Sequence, residues 1–153
     1  MPWPSTVTVA AQVAAGRLTT MATLKDPEVQ KLLSEPNHAV VSTLNQDGSV
    51  HNAVAWISAE DGTVAVNSAR GRKWPSNLER DPRVNVLVYE AGNPYNYVEI
   101  RGNATGTTDG ADEHIDALTK KYIGQDEYPF RQPGEVRVKF VIEPDHVRHQ
   151  KQG

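Results

Sequence analysis

The sequence predicts a mainly β domain, a small antiparallel barrel with two or three helices packed on it. Three observations point there. Between Ala39 and Ser68, short apolar runs are broken by the turn signals Gln46-Asp47-Gly48 and Glu60-Asp61-Gly62, as in a chain of hairpins. Later runs, 83–90 and 136–144, alternate apolar and polar residues with the period of two that a half-buried strand requires. Strand–helix–strand alternation with a glycine fingerprint does not occur, which argues against a doubly wound nucleotide fold.

The elements follow in order. Residues 1–24 read as an N-terminal extension, partly helical from Val7 to Arg17; with no basic residue before Arg17 it lacks the charged start of a signal peptide. A helix then opens with Asp26 as N-cap, Pro27 at the first helical position and Glu28 at the positive end of the dipole. Val29, Leu32 and Leu33 form its buried stripe and Pro36 stops it. "HAVVSTLN", "SVHNAVAWIS" and "TVAVNS" read as a three-stranded meander with short turns. A short helix from Pro75 to Arg80 is closed by Pro82. "RVNVLVYE" is a fourth strand with Val84, Val86 and Val88 on one face, and "AGNPYN" is a turn.

"YVEIRGNATGTT" is a fifth strand, in which Gly102 marks a bulge or a close backbone approach. "DGADEHIDALTKKYIG" is a helix with Ile115, Leu118, Tyr122 and Ile123 at helical spacing and Gly124 as C-cap. The loop 125–135 leads to a last strand with Val136, Val138 and Phe140 on one face, and the chain is expected to fray from Asp145. The main domain spans 25–148, with 149–153 as a tail.

Composition narrows the chemistry. The 153 residues carry 16 Lys and Arg against 19 Asp and Glu, a net charge of −3, so there is no general pull toward nucleic acid or an anionic membrane. Cysteine is absent, which excludes disulfides, thiolate nucleophiles and Cys-based zinc sites. No apolar run approaches the roughly 20 residues of a membrane helix, and a cytoplasmic protein is expected. His146 and His149 do not make a metal site, "DEHIDAL" reads as a solvated helix face, and no G-x-S-x-G turn supports a serine hydrolase.

One segment stands out. "NSARGRKWPSNLERDPRV" concentrates Arg70, Arg72 and Lys73 at a helix start, where the dipole disfavours cations. A phosphate there would take backbone N–H groups around Ser68 to Gly71, donors from Asn67 and Ser68, and charge from Arg72 and Lys73. Asn77, one turn into the helix, is placed to brace the loop. The alternative is a basic turn whose charges pair with Glu79 and Asp81. Trp56 and Trp74 are the nearest aromatics and suit a flat heterocycle, or else are core; Tyr95 and Tyr97 carry the same two readings. Alternation puts His51, Ala53, Ala55 and Ile57 on one face of the second strand, with His51 the histidine of interest.

Several stretches together carry a resemblance: "VVSTLNQDGSVHNAVAW", "VNSARGR...NLERDPRV", "YVEIRGNA" and "DGADEHIDALTKKYIG...YPFRQPGEVRVKFVIEP". From Pro27 to Val147 the chain resembles the split β-barrel flavin and deazaflavin oxidoreductases, the pyridoxamine-phosphate-oxidase-like superfamily. Within it, the chain is most similar to the branch that uses coenzyme F420, the deazaflavin of actinobacteria. The resemblance implies a homodimer with a cofactor groove at its interface. It implies that the segment Asn67 to Asn77, with Ser68, Ala69, Arg72 and Lys73, holds the cofactor phosphate. The strand His51 to Trp56, including Ala53, would lie against the ring, and Tyr97 would contribute to the same groove from either subunit. One departure is that family members often carry lysine three residues before the helix asparagine. Here that place is Trp74 and Lys73 stands one earlier, a rotation of about 100° on a helix.

The leading expectation is therefore an F420H2-dependent reductase passing a hydride to a small unsaturated or quinone-like acceptor. An FMN enzyme of the same fold, a non-catalytic binder of flavin or a haem-like flat ligand, and a structural dimer with its groove blocked by Trp74 are the alternatives.

Overall fold

A computed structural model describes residues 22–152; the helix expected at Val7–Arg17 lies outside them. Three helices and seven strands follow in the order α1 (Pro27–Ser34), β1 (Ala39–Leu44), β2 (Val50–Ala55), β3 (Ile57–Glu60), β4 (Thr63–Ala69), α2 (Lys73–Arg80), β5 (Arg83–Glu90), β6 (Asn93–Thr107), α3 (Ala111–Ile123) and β7 (Arg137–Lys151). All strand pairs are antiparallel, and they join into one sheet of order β2-β1-β5-β6-β7-β4-β3.

That order corrects the expected meander. "SVHNAVAWIS" is not one strand: it breaks at Trp56 into β2 and β3, which occupy opposite ends of the sheet. In a flat sheet of seven strands the two edges would lie roughly 29 Å apart at about 4.8 Å per strand. A single connecting residue spans at most about 7 Å between the flanking Cα atoms. The sheet must therefore curl until its edges meet at Trp56, giving a half-barrel closed covalently rather than by a ladder.

The inner face of the curl is the core. Val41, Val64, Val66, Val86, Val88, Val98, Ile100, Phe140 and Ile142 are essentially inaccessible, and α1 caps them with Val29, Leu32 and Leu33. Each such side chain contributes about 1.5–3 kcal/mol by leaving water. The expected face of Val84, Val86 and Val88 is buried as a set, and so are Val138 and Phe140. Val136 is not: it precedes β7 and stands 43% exposed.

Local chemistry explains the remaining departures. Asp26 sits at the N-cap of α1, but its carboxylate accepts from Thr23 N and Oγ1 rather than capping the helix. α2 begins at Lys73, which puts Pro75 in the first turn, where no N–H is required. The expected turn "AGNPYN" shrinks to Ala91–Gly92, with Gly92 at φ 87°, and β6 starts at Asn93. The C-terminal stretch does not fray, because β7 pairs with β6 as far as Asn96↔Lys151. Gly102 lies at a register shift in the β6–β7 ladder, and a Cβ there would fall 2.1 Å from the Glu143 carbonyl oxygen. Gly124 caps α3 in the left-handed region, and Ile123 in its last turn is 42% exposed.

Candidate functional site

Where the curl closes, the chain leaves a cleft of about 260 Å³. Its aromatic wall is Trp56 from the β2–β3 junction, Trp74 from α2, and Tyr128 and Phe130 from the loop after α3. Its polar wall is Asn67 and Ser68 from the end of β4, Arg72 from the N-cap of α2 and Arg137 from the start of β7. β4 and β7 are neighbours, with Ala69 opposite Arg137, which is why the two segments share a wall.

The polar wall rests on a buried network. Asn67 Oδ1 accepts from Arg137 Nε at 3.0 Å. Because a guanidinium only donates, this fixes the amide, whose Nδ2 donates to Ala111 O and to His114 Nδ1, both at 3.0 Å. His114 thus accepts at Nδ1 and donates from Nε2 to Ser58 Oγ at 2.8 Å. Burial, with Lys139 and Arg137 adding repulsion and Glu60 opposing, pushes its pKa down to about 4. The expected solvated face of "DEHIDAL" is corrected at this residue: His114 is buried.

Two donors in the wall have no hydrogen-bond partner among the described residues. Ser68 Oγ and Arg137 Nη1 are both buried, and an unpaired buried donor costs about 1–3 kcal/mol. Arg137 Nη1 lies 3.3 Å from Glu135 Oε1, an ion-pair contact without hydrogen-bond geometry. Arg72 Nη2 donates to the same Glu135 oxygen at 3.4 Å. The Arg137 guanidinium also lies 4.9 Å from the Tyr128 ring centre.

The aromatic wall is fixed in the same way. Trp56 stacks on Tyr122 at 5.2 Å and 7° and meets Tyr128 edge-on at 6.3 Å. Tyr122 is itself pinned, its hydroxyl donating to Asn37 O at 2.5 Å and accepting from Ile57 N at 3.2 Å. Burial raises its pKa. Trp74 packs against Phe140 at 5.4 Å and belongs to the core as well as to the cleft.

Of the residues singled out in the sequence, the fold brings Trp56, Asn67, Ser68, Arg72 and Trp74 into this cleft. The cationic knot itself splays apart. Arg70 lines a different groove beside Leu78 and Thr107, and Lys73 is outside the cleft lining. The Arg70 N–H donates to Val136 O and the Arg72 N–H to Ala69 O, so these two amides are engaged within the fold. Asp81 pairs with Arg83 at 2.7 Å. Asn77 is buried and ties α2 to β1, donating to Thr43 Oγ1 at 3.1 Å and Asn45 Oδ1 at 3.0 Å.

His51, Ala53 and Ala69 lie on β2 and β4 outside the cleft lining. Tyr97, on β6, is outside the cleft lining as well. Sequence reasoning missed His114, Arg137, Glu135 and Tyr128 as site-forming residues. Only Arg137 carried a signal, a cation alternating with the core residues Val138 and Phe140.

A larger groove of about 530 Å³ crosses the outer sheet face by Val50, Asn85 and Arg101, but it holds no aromatic side chain. Among the described residues no helix is long and apolar enough to cross a membrane, and no three metal-ligating side chains cluster.

The model of the pyridoxamine 5'-phosphate oxidase family matches residues 25–151. The chain belongs to the pyridoxamine 5'-phosphate oxidase family. Its fold is the family's split barrel, and the family's members are flavin-binding proteins, commonly oxidoreductases. Solved structures of the same fold include an F420 reductase, 23% identical, with a TM-score of 0.67 over 77% of this chain and 94% of that one. A conserved hypothetical protein from Mycobacterium tuberculosis is 20% identical, with a TM-score of 0.67 over 87% of this chain and 86% of the other. General Stress Protein 26 from Bacillus anthracis is 22% identical, with a TM-score of 0.61 over 80% and 91%. No curated protein matches.

Proposed function

We propose that this protein is a coenzyme F420H2-dependent reductase that holds a deazaflavin in the Trp56–Trp74 cleft and presents it to a small unsaturated or quinone-like acceptor. The observation that carries this reading is Ser68 Oγ, a buried donor without a partner, set in an aromatic cleft beside two guanidiniums. A flat ring with an anionic tail satisfies each of these groups at once: the aromatic wall takes the ring, and Ser68, Arg72 and Arg137 take the charge. A reduced deazaflavin supplies a hydride when bound. The protein's share is then to bind, orient and exclude water.

The alternative is FMN in the same cleft, since its phosphate calls on the same donors. The non-catalytic reading differs only in lacking an acceptor. A deazaflavin reductase works beside the pool of reduced cofactor, which favours the cytoplasm.

The cleft also argues for a homodimer. Its 260 Å³ falls short of the roughly 300–1,000 Å³ usual for a ligand site, so a second wall is needed. Val54 lines the cleft and is 69% exposed, and Val50 on the same face of β2 is 60% exposed. A second copy packed on this face buries both valines and completes the groove, and Tyr97, outside the lining in its own chain, would join it from the partner.

Titration of the apo-protein with F420 and with FMN, followed by tryptophan fluorescence, tests the reading. Tight F420 and weak FMN binding supports the reductase. Preference for FMN moves the protein to the oxidase side of the family, and binding of neither overturns the cofactor assignment.

A further inference from the structure

Arg72 and Arg137 stand side by side in the cleft wall because one carboxylate holds both. Glu135 Oε1 lies 3.4 Å from Arg72 Nη2 and 3.3 Å from Arg137 Nη1. The Glu135 side chain is only 5% exposed and sits behind the guanidiniums, outside the cleft lining. The Arg137 side chain is 2% exposed and is held from its other end by Asn67. Among the described residues Ser68 Oγ and Arg137 Nη1 remain without hydrogen-bond partners, as does Glu135 Oε2.

The charge of this arrangement can be counted. Two guanidiniums and one carboxylate leave a single positive charge. Asn67 and Ser68 are neutral, and so is His114 above about pH 4; the other titratable side chains of the lining are His38 and Tyr128, neither of them a carboxylic acid or a guanidinium. The neighbouring charges are spent elsewhere: Lys139 pairs with Glu60 at 2.6 Å, and Arg131 pairs with Asp112 and Asp116. Arg70 lines another groove, and Lys73 is outside the cleft lining.

We propose that Ser68, Arg72 and Arg137, with Glu135 as a fixed counter-carboxylate, form a seat for a singly charged anionic group and discriminate against a doubly charged phosphate monoester. A monoanion leaves the half-buried cleft neutral. A dianion leaves it with an unbalanced negative charge and costs more desolvation against the buried Arg137 and Glu135 than a monoanion does. The groups that fit are the phosphodiester of a deazaflavin coenzyme and the carboxylate of an acceptor; the terminal phosphate of FMN fits poorly. The charge selectivity stands on the geometry alone, and only the identity of the ligand rests on the proposed reductase function. Glu135 is thereby a specificity-determining residue that touches no ligand.

The test uses the full chain and two small probes, dimethyl phosphate, which is a monoanion, and methyl phosphate, a dianion at pH 8. Dimethyl phosphate should raise the thermal midpoint of the wild type more than methyl phosphate at equal concentration. Glu135→Gln should reverse that order, shifting the affinity ratio at least tenfold toward methyl phosphate. Arg72→Gln, at a residue whose side chain is half exposed, lowers the seat to zero charge and should weaken the dianion more than the monoanion, which tests the same logic should Glu135→Gln fail to fold. A wild type that prefers methyl phosphate, or that responds to neither probe, overturns the proposal.

Competition separates the sources. If dimethyl phosphate displaces F420, the seat belongs to the cofactor; if the two bind independently, it belongs to the acceptor. A monoanion preference in a protein that binds neither F420 nor FMN would sustain the seat and sink the reductase.

Discussion

Asn67 and His114 hold each other in one state: the amide Nδ2 donates to the imidazole Nδ1 at 3.0 Å, and Arg137 prevents the amide from turning over. The imidazole can therefore accept at Nδ1 only while it is neutral.

A pH dependence of stability follows. The folded-state pKa of His114 is about 4, below the ordinary 6.5, so the unfolded chain binds more protons between those values. Stability is then complete above about pH 6.5 and is lost as pH falls toward 4. The contribution is at most about 3 kcal/mol. Urea midpoints measured from pH 8 to 4 should fall through this window, and His114→Gln should flatten the fall relative to the wild type.

Arg72→Ala and Lys73→Ala should behave differently, although the two residues are adjacent in sequence. Only Arg72 reaches the cleft. Its loss should weaken binding of a phosphorylated flavin or deazaflavin by about 1.5–3 kcal/mol, while Lys73→Ala should cost less than half of that. Equal losses in a fluorescence titration would count against the geometry.

Gly102→Ala should destabilise without touching the cleft. Its methyl group would sit 2.1 Å from a backbone oxygen, which no side-chain rotation relieves. A loss of about 1–3 kcal/mol is expected, read as a lower urea midpoint with an unchanged slope.

Val54→Lys should shift the protein toward monomer in sedimentation velocity if the outer face of β2 is the pairing surface. A lysine at the centre of an apolar contact leaves an unpaired charge. Cofactor affinity should fall with it, because the second wall of the cleft is lost. A variant that stays dimeric would put the interface elsewhere.

Much of this was legible in the sequence where the signal is local. The alternation of Val84, Val86 and Val88, the helix start at Pro27, the cap at Gly124 and the crowding at Gly102 each depend on a few adjacent residues. The break at Trp56 was not legible, since nothing in "VHNAVAWIS" distinguishes one long strand from two that part company. The same limit applies to the site. The cationic knot reads as one patch because its residues are neighbours, yet the turn into α2 brings only Arg72 of the three into the cleft. His114 looked solvated because its flanking residues are acidic, and its burial depends on where β4 and β7 place Asn67 and Arg137. A pairing between side chains seventy positions apart leaves no local periodicity to detect.

The pairing of Ala69 with Arg137 bears on the protein's assembly. Trp56, Ser68, Arg72 and Trp74 are all synthesised well before β7, and the hairpins β1–β2 and β3–β4 can close while the rest of the chain is still on the ribosome. Trp56 can meet Tyr122 earlier, but Arg72 and Trp74 lack Glu135 and Phe140 until the last strand is released and docks. Long-range pairings of this kind form late. The anionic wall is thus assembled only once β7 has docked, and a chain that stops short of Arg137 lacks it.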